Sequence, residues 1–480
     1  MKLDHMAMAC VLPGFAGWTA PDWVRRRIAE GLAGVVLYHG NVRDREQLAE
    51  LTAQLRSENP QLLIAIDEEG GDVTRLDIVQ GSRWPGGLAL GAVDDTSVTH
   101  AVAQQIGAEL ANAGVNWNLA PVADVNTAAG NPVIGTRAFG ADPDLVSRHT
   151  AAFVTGLQDR RVAACAKHFP GHGNTLTDSH LELPRIHQDR AAFEADALPP
   201  FRAAIAAGTA SVMTAHIVVD AYGDLPATVN PAVLTGLLRQ ELGYDGVVIT
   251  DSLEMQAVYG RYGVVEAAER AIAAGADALC VGASNGDSRT GRIHTALRDA
   301  VTGGRLPEQR LHEAAQRVAR LAAWATAQAP GAVEPAIGID AARRALTVTG
   351  TVRLSRPAAV IELSPSTSEI VGETGWGIGQ LLARQIPATR VLRLTEEEAP
   401  PPALISADHQ PVLVVRDAHR HPWIAAALSR LLPAHPDAVL IEMGAPHAPT
   451  HHHYIATNGA SRVSAAAAVE LLLGTAVDPA

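Results

Sequence analysis

The sequence predicts an α/β protein: a (β/α)8 TIM-type barrel followed by a smaller αβα sandwich domain. From the start of the chain to about Trp324, short apolar runs alternate with segments whose apolar residues recur at helical spacing. A break rich in Ala, Pro and Gly follows at 327–336, and a second set of strand and helix patterns lies beyond it. With 480 residues and 47% hydrophobic content, the chain is long enough for two or three domains with substantial cores.

The barrel prediction depends on the type and order of the apolar runs. They are rich in Val, Ile and Ala, which is typical of strands buried on both faces of a parallel sheet. The runs are 34–38, 62–67, 115–119, 162–165, 211–213, 247–250 and 278–281, and helical patterns lie between them at 96–113, 144–157, 191–207, 231–242 and 265–273. Seven β-then-α units and a weak eighth predict a (β/α)8 barrel, whose usual length is about 250 residues plus insertions.

The remainder of the chain predicts the sandwich. Strand patterns occur at 358–363, 411–415 and 438–442, with helical patterns at 378–384 and 423–432 and an acidic, Pro-rich loop at 395–402. The predicted organisation is a catalytic barrel domain at 1–326, a linker at 327–345 and an αβα sandwich domain at 346–480.

Composition limits the possible partners. The formal net charge is -13, no basic run is longer than 25–27, and aromatic residues make up 4% of the chain. These features argue against a nucleic-acid groove or an anionic membrane surface and favour a small neutral substrate. No apolar stretch approaches the roughly 18 residues that a membrane span needs.

The cysteines and the N-terminal segment predict a cytoplasmic location. Cys10, Cys165 and Cys280 are odd in number and far apart, which argues against a disulfide framework or a zinc ribbon. Residues 1–14 carry charges at Lys2 and Asp4 and hold too short an apolar patch for a signal-peptide core. The pattern specifies no oligomeric state.

The most informative stretch is 167–184. It begins Lys-His-Phe-Pro-Gly-His-Gly, continues through Asp178 and His180 to a proline, and directly follows the apolar run 162–165. Three histidines, a lysine and an aspartate thus lie in a Gly/Pro-punctuated loop at the end of a predicted strand. Active sites of TIM barrels lie at that rim.

Other polar residues follow neighbouring predicted strands. Asp67 lies at the end of the second predicted strand, Asp124 follows the third and Asp251 the sixth. Met213 ends the fifth, His216 lies shortly after it, and Arg137 lies between the third and the fourth. Carboxylates, amides and cations around one pocket suit a polyhydroxylated sugar, because each hydroxyl both donates and accepts hydrogen bonds.

Each of these residues also has a purely structural interpretation. Asp67 can hold a loop through backbone N–H groups, Asp251 can cap the helix that follows, and Lys167 can form an ion pair with Asp124. Cys165 is predicted to be a small core residue, and the run 451–453 of three histidines to be solvated surface.

Zinc is the main alternative for the histidine loop, with His168, His172, Asp178 and His180 as ligands. Their spacing does not fit a regular helix, and the loop would have to fold back on itself at its prolines and glycines. The sequence therefore predicts no metal and no cofactor.

Taken together, these motifs resemble the family 3 glycoside hydrolases, in the β-N-acetylglucosaminidase (β-hexosaminidase) subgroup. The resemblance runs from about 34 to 282, and its most specific element is the KHFPGHG stretch followed by Asp-Ser-His and a proline. Supporting motifs stand at 67–71, 137–140, 241–251 and 274–277. The β-glucosidase branch of the family lacks the Asp-Ser-His loop.

The resemblance implies a role for each matching residue. Asp251 matches the nucleophile, and His180 with Asp178 matches an acid/base dyad on a loop. Asp67, Arg137, Lys167 and His168 match residues that bind the sugar hydroxyls, while Asp124, His216 and Met213 are further pocket members. Asn174 and Ser252 stand at positions where the family varies.

The chemistry of imidazole supports the dyad independently. Its ordinary pKa of about 6.5 lets it donate and later accept a proton near neutral pH, so His180 needs little tuning. Asp178 would orient the imidazole and stabilise its cation. Attack by Asp251 followed by hydrolysis of the glycosyl-enzyme predicts retention of the β configuration.

Three functions are compatible with these residues. The leading one is a retaining exo-β-N-acetylglucosaminidase acting on small GlcNAc-terminated glycans, such as muropeptides in cell-wall recycling or chitooligosaccharides. The second is a β-N-acetylglucosaminide phosphorylase, since a neutral histidine base repels phosphate less than a carboxylate would. The third is a catalytically inactive sugar-binding protein.

Overall fold

The computed structural model of the chain describes residues 1–365, 377–396, 405–447 and 451–478. They form two compact units. The first comprises Met1–Glu68, Thr99–Ile134 and Gly140–Val333, and the second comprises Glu69–Val98, Gly135–Phe139 and Glu334–Ala480. The second unit therefore takes in two segments of the predicted barrel domain. Most of the predicted acidic loop 395–402 lies outside the described residues.

The first unit contains short strands that are almost entirely buried. In chain order they are β1 Val11–Pro13, β2 Gly34–Leu37, β3 Leu63–Ile66, β4 Trp117–Asn118, β5 Cys165–Phe169, β6 Arg185–Ile186, β7 Ser211–Thr214, β8 Val218–Val219, β9 Val247–Ile249 and β10 Leu279–Val281.

Their pairing is parallel throughout. Three groups pair as β2-β3-β4, β5-β7-β9 and β1-β10, and β6 pairs with β8 as a separate ribbon. Isolated parallel bridges, Trp117 to Ala163 and Ile249 to Ala278, join the first group to the second and the second to β10. Parallel strands arranged side by side bring their carboxyl ends to one edge, so the residues that follow β3, β5 and β9 meet there.

Helices connect these strands and continue into the second unit. They are α1 Leu3–Ala9, α2 Asp22–Ala29, α3 Arg45–Glu58, α4 Gly87–Val93, α5 Thr96–Asn112, α6 Pro143–Gln158, α7 Arg190–Ala197, α8 Pro199–Ala206, α9 Gln256–Ala274, α10 Gly286–Thr302, α11 Glu308–Ala325, α12 Ala336–Ala345, α13 Ile378–Gln385, α14 Pro422–Ala434 and α15 Arg462–Leu473. Ala232–Glu241 form a π-helix, and short 3-10 helices occur at His39–Asn41, Gly135–Arg137, Asp220–Tyr222, Ala227–Val229 and Ala418–Arg420. No helix in the described ranges is long and apolar enough to cross a membrane.

The structure corrects several predicted elements of the first unit. β5 starts where the predicted run 162–165 ends, so Lys167 and His168 lie within the strand. The predicted helix 191–207 is two helices, because Pro199 and Pro200 lack the N–H groups that would continue the first. The predicted helix 231–242 is the π-helix. β1 was not among the predicted runs.

The strand interior of the first unit is closely packed. Leu12, Val36, Leu63, Trp117 and Ile249 belong to one buried cluster, which also includes side chains of α11. Cys165 is fully buried in it, as predicted. Each of these large side chains contributes about 1.5–3 kcal/mol by leaving water.

The second unit is a three-layer αβα arrangement. Its strands are β11 Thr347–Thr349, β12 Ala358–Leu363, β13 Arg390–Leu394, β14 Gln410–Val415, β15 Val439–Glu442 and β16 Tyr454–Ala456, in the order β11-β16-β15-β14-β12-β13. Only β11 is antiparallel among the described strands of this sheet. Because side chains alternate along a strand, one face of the sheet packs on α12, α13 and α15 and the other packs on α14.

Two predictions for this part of the chain need correction. The segment 327–345 was predicted as a linker, but Ala336–Ala345 form α12, because Ile339 and Ala342 are apolar at helical spacing and pack into the core. The histidine run is only partly solvated: His452 is exposed, whereas His451 is half-buried and its Nε2 hydrogen-bonds the carbonyl of Ala438 at 2.8 Å.

Candidate functional site

Asp67 and the buried Lys167 form an ion pair at the carboxyl ends of two parallel strands. Lys167 Nζ donates to Asp67 Oδ1 at 2.7 Å, and only 2% of the lysine side chain is exposed. Asp67 directly follows β3, and Lys167 lies in β5. Asp67 is thus an ion-pair partner of Lys167, a pairing that the structural interpretation of the sequence did not name.

Asp124 is fully buried and organises the beginning of the histidine loop. Its carboxylate accepts from His168 Nδ1 at 2.7 Å and from the backbone N–H of His172 at 2.6 Å. Burial opposes the charge of Asp124, but the adjacent imidazoles of His168 and His172 and the hydrogen bonds outweigh it and lower its pKa. Asp124 therefore remains an anion that orients the ring of His168.

His172 is a structural residue of the loop. Its Nδ1 hydrogen-bonds Thr175 Oγ1 at 2.8 Å and its Nε2 hydrogen-bonds Ser179 Oγ at 3.1 Å. Burial lowers the pKa of His172 to about 4, so the ring is neutral at ordinary pH.

The same contacts bear on the zinc alternative. Both ring nitrogens of His172 are engaged by hydroxyl groups, so this residue does not present a nitrogen to a shared metal. Within the residues that the structure describes, no three His, Cys, Asp or Glu side chains form a group that could hold a metal ion.

Asp178 and His180 form a hydrogen-bonded pair further along the loop. The ring Nδ1 of His180 lies 2.8 Å from Asp178 Oδ1, and the backbone N–H of His180 donates to the same oxygen at 2.8 Å. The pKa of Asp178 is lowered, since these hydrogen bonds and the imidazole outweigh its partial burial. A carboxylate at Nδ1 leaves Nε2 as the nitrogen that exchanges a proton.

Asp251 follows β9 and remains ionised. Its Oδ1 accepts the backbone N–H of Ser252 at 2.7 Å. Burial alone would raise the pKa of Asp251, but His216, His168 and His180 lie close enough to lower it below its ordinary value. The alternative role as a helix cap is wrong, because α9 begins at Gln256 and its N-cap is Met255.

His216 acts on the segment that carries Asp251. Its Nε2 donates to the carbonyl of Ser252 at 2.9 Å, and its Nδ1 hydrogen-bonds Thr228 Oγ1 at 2.7 Å. Burial lowers the pKa of His216, which favours a neutral ring. Met213 lies in β7 and belongs to the buried core cluster of the first unit, at 3% exposure.

Arg137 belongs to the second unit, where its partner is Glu69. Nε and Nη2 of the guanidinium donate to Glu69 Oε2 and Oε1 at 2.9 and 2.7 Å, and both side chains are buried. Such a bidentate pair fixes the plane of the guanidinium. Glu69 lies in the supporting motif 67–71, but the sequence analysis assigned it no role.

Residues that brace the histidine loop were also missed. Asn131 donates from its amide to the carbonyl of His172 at 2.9 Å, and its amide oxygen accepts from two nearby backbone N–H groups. The backbone N–H of Ala257 donates to the carbonyl of Ser179 at 3.4 Å, which ties the dyad loop to the start of α9. Only neighbours in space supply these contacts, so no local pattern indicated them.

Cavity volume does not identify this site. An open groove of about 950 Å³ in the first unit is lined by α10 and by residues after β1 and β10, including Phe15, Trp23 and Asn285. It contains none of the predicted site residues, whereas the charged site residues of the first unit include Asp67 after β3, Lys167 in β5 and Asp251 after β9. Perturbed pKa values and charge pairs are the better indicator of chemistry here.

Known proteins resemble this chain in sequence. A family model described as Glycosyl hydrolase family 3 N terminal domain matches residues 19–321. The chain is 35% identical over 317 residues to Beta-hexosaminidase A of Pseudoalteromonas piscicida, covering 60% of this chain and 53% of that protein. It is 34% identical over 292 residues to Beta-hexosaminidase of Neisseria meningitidis serogroup B, covering 58% and 80%. The chain thus spans about half the length of the first relative.

Similarity to solved structures extends over the whole chain. One such structure is a glycoside hydrolase family 3 beta-N-acetylglucosaminidase from Paenibacillus sp. str. FPU-7, with a TM-score of 0.90 and 32% sequence identity. The superposition covers 100% of this chain and 98% of that one.

Proposed function

The chain belongs to glycosyl hydrolase family 3, and from that premise we propose that it is a retaining exo-β-N-acetylglucosaminidase that removes terminal, non-reducing β-GlcNAc from small glycans. The observation that carries the proposal is the Asp178–His180 pair, whose imidazole lies within electrostatic reach of the ionised Asp251. The names of the similar proteins support the sugar specificity.

In the first step, an oxygen of Asp251 attacks the anomeric carbon while the bond from that carbon to the glycosidic oxygen breaks. His180 donates its Nε2 proton to the departing oxygen. The low pKa of Asp251 keeps the nucleophile charged in a partly buried place. A glycosyl ester of Asp251 and a neutral His180 result.

In the second step, neutral His180 takes a proton from water and the oxygen of that water attacks the anomeric carbon. The ester bond breaks, which returns Asp251 as a carboxylate and His180 as a cation held by Asp178. Two inversions at one carbon give net retention of the β configuration.

Within the first unit, the sugar hydroxyls are assigned to Asp67, Lys167 and His168. Arg137, in the second unit, keeps the sugar-binding role that the family resemblance implies for it. Lys167 and Asp67 offer a donor and an acceptor 2.7 Å apart, which suits adjacent hydroxyls of a pyranose. We assign muropeptides and chitooligosaccharides as the candidate substrates, and Asp124 and His216 as residues that orient the others.

The finer architecture is part of the same proposal. We assign the parallel strands of the first unit to the predicted (β/α)8 barrel, and the sheet of the second unit, together with α12, to the predicted αβα sandwich. The parallel pairing of the strands in the first unit supports the barrel. The side chains of β12 and β14 alternate between two buried clusters, which supports the sandwich. A cytoplasmic location stays a prediction.

The test is to incubate the purified protein with a nitrophenyl β-N-acetylglucosaminide and, in parallel, the matching β-glucoside. Free GlcNAc, released from the first substrate with retained configuration, is the expected result. Added millimolar phosphate separates the phosphorylase alternative, because phosphorolysis would yield GlcNAc 1-phosphate. Binding of GlcNAc without turnover of either glycoside would instead indicate a sugar-binding protein.

A further inference from the structure

The turn that carries Arg137 is held by a buried carboxylate. Thr136, the preceding residue in the 3-10 turn Gly135–Arg137, donates its Oγ1 proton to Asp72 Oδ2 at 2.5 Å. The guanidinium of Arg416 lies 2.8 Å from the other oxygen of Asp72, and the backbone N–H of Ala460 donates to the same carboxylate. All of these residues belong to the second unit.

Because Asp72 is buried, its ionised form depends on the positive charge of Arg416. Only 2% of the Asp72 side chain and 11% of that of Arg416 is exposed. Burial raises the pKa of Asp72, and Arg416 and Thr136 oppose that effect. If Arg416 lost its charge, the carboxylate would be protonated or would turn toward water, and in either case Thr136 would lose its ionised acceptor.

Arg416 is itself fixed by the sheet. It directly follows β14, and Glu442 at the end of the neighbouring β15 accepts the backbone N–H groups of Asp417, Ala418 and Gly444 at 2.8, 3.2 and 2.7 Å. One buried carboxylate thereby braces the connections that follow two adjacent strands. These hydrogen bonds hold the backbone that directly follows Arg416.

We propose that Asp72 and Arg416 are positioning residues for Arg137, so that the sheet of the second unit sets the place of the sugar-binding arginine. Glu69 fixes the direction of the guanidinium, while the chain from Glu442 through Arg416 and Asp72 to Thr136 fixes the backbone beneath it. The inference rests on the proposed function, in which Arg137 binds the sugar hydroxyls.

The test compares Arg416→Gln, Asp72→Asn and the double variant with the control Arg420→Gln. Arg420 lies in the same connection but approaches Asp417, at 3.6 Å, and not Asp72. Hydrogen exchange of the peptide 135–139 needs no substrate, and we expect it to accelerate in the first three variants and not in the control. Near-ultraviolet circular dichroism identifies the variants that fold.

Kinetics on the nitrophenyl β-N-acetylglucosaminide supply the second readout. We expect kcat/KM to fall about 10- to 100-fold, the cost of a small misplacement, with both limbs of the pH profile unchanged. Because Arg416 acts through Arg137, adding Arg416→Gln to Arg137→Gln should cost no further activity. If Arg416→Gln alone is unfolded, the double variant, which also removes the buried charge, takes its place.

Two results would overturn the inference. The first is hydrogen exchange of 135–139 at the wild-type rate in a folded Arg416→Gln or double variant. The second is that Arg416→Gln lowers activity by the same factor in the Arg137→Gln background as in the wild-type protein. Failure of the proposed function looks different: the wild-type protein would not release GlcNAc, while the exchange data would still decide whether Arg416 holds the turn.

Discussion

Replacement of Asp178 by Asn is the sharpest test of the dyad. The carboxylate lies 2.8 Å from His180 Nδ1, and about a quarter of each side chain is exposed, 21% and 25%. Two unit charges about 4 Å apart interact by about 1 kcal/mol in water and about 4 kcal/mol at the effective dielectric of a protein surface. Loss of that attraction should lower the pKa of His180 by about 1–3 units.

His180 must be protonated when the glycosidic bond breaks, so the alkaline limb of kcat/KM should move down in pH by about 1–3 units. At about pH 7.5, kcat/KM for a substrate with a poor leaving group, such as a GlcNAc disaccharide, should fall about 10- to 1000-fold. For an activated nitrophenyl glycoside, kcat/KM should fall much less. The measurement is kcat/KM against pH for both substrates.

The chain offers a matched control. Asp220 accepts from His187 Nδ1 at 2.8 Å, the same distance as in the dyad, but outside the proposed site. Asp220→Asn should leave both pH profiles unchanged. The reasoning is refuted if Asp178→Asn does not move the alkaline limb downward, or if it impairs the two substrates equally.

Three further predictions follow from the same contacts. Asp251→Asn should retain less than about a tenth of the wild-type rate, whereas Asn at the exposed Asp245 should be silent; higher residual turnover would point to another nucleophile. The pKa of His172 is about 4 in the folded protein and 6.5 in the unfolded chain, so the neutral ring stabilises the fold above pH 6.5. As the pH falls from 6.5 to 4, the free energy of unfolding should decrease by about 3 kcal/mol. His172→Gln should flatten that part of the pH dependence of the unfolding free energy, and an unchanged slope would contradict it. Lys167→Met leaves Asp67 without its cation and should lower kcat/KM about 10- to 100-fold, measured on the nitrophenyl substrate; a change under about twofold would remove Lys167 from the site.

Elements with a strong local period could be predicted from the sequence. The strand predicted at 358–363 is β12, and the helix predicted at 144–157 is α6 to within a residue at each end. β1 and β16 were missed. They are defined by pairing, β1 with β10 and β16 with β15, and the sequence around them carries no clear strand pattern.

Within the site, the types of residue were predictable and most partners were not. The motif at 167–184 identified Asp178 and His180, which lie two residues apart and interact locally. Lys167 pairs with Asp67, a residue one hundred positions away. That choice depends on which strands lie side by side and on their register, and neither is encoded in local spacing.

The sequence alone determined the family resemblance, the loop that carries the dyad and the residue types of the site, because these depend on the order of neighbouring residues along the chain. Only the tertiary structure decided that Asp251 stays ionised among three imidazoles, that Glu69 holds Arg137, and that the turn of Arg137 joins the second unit. Burial and charge pairing between distant segments set these properties, and they exist only once the chain has folded.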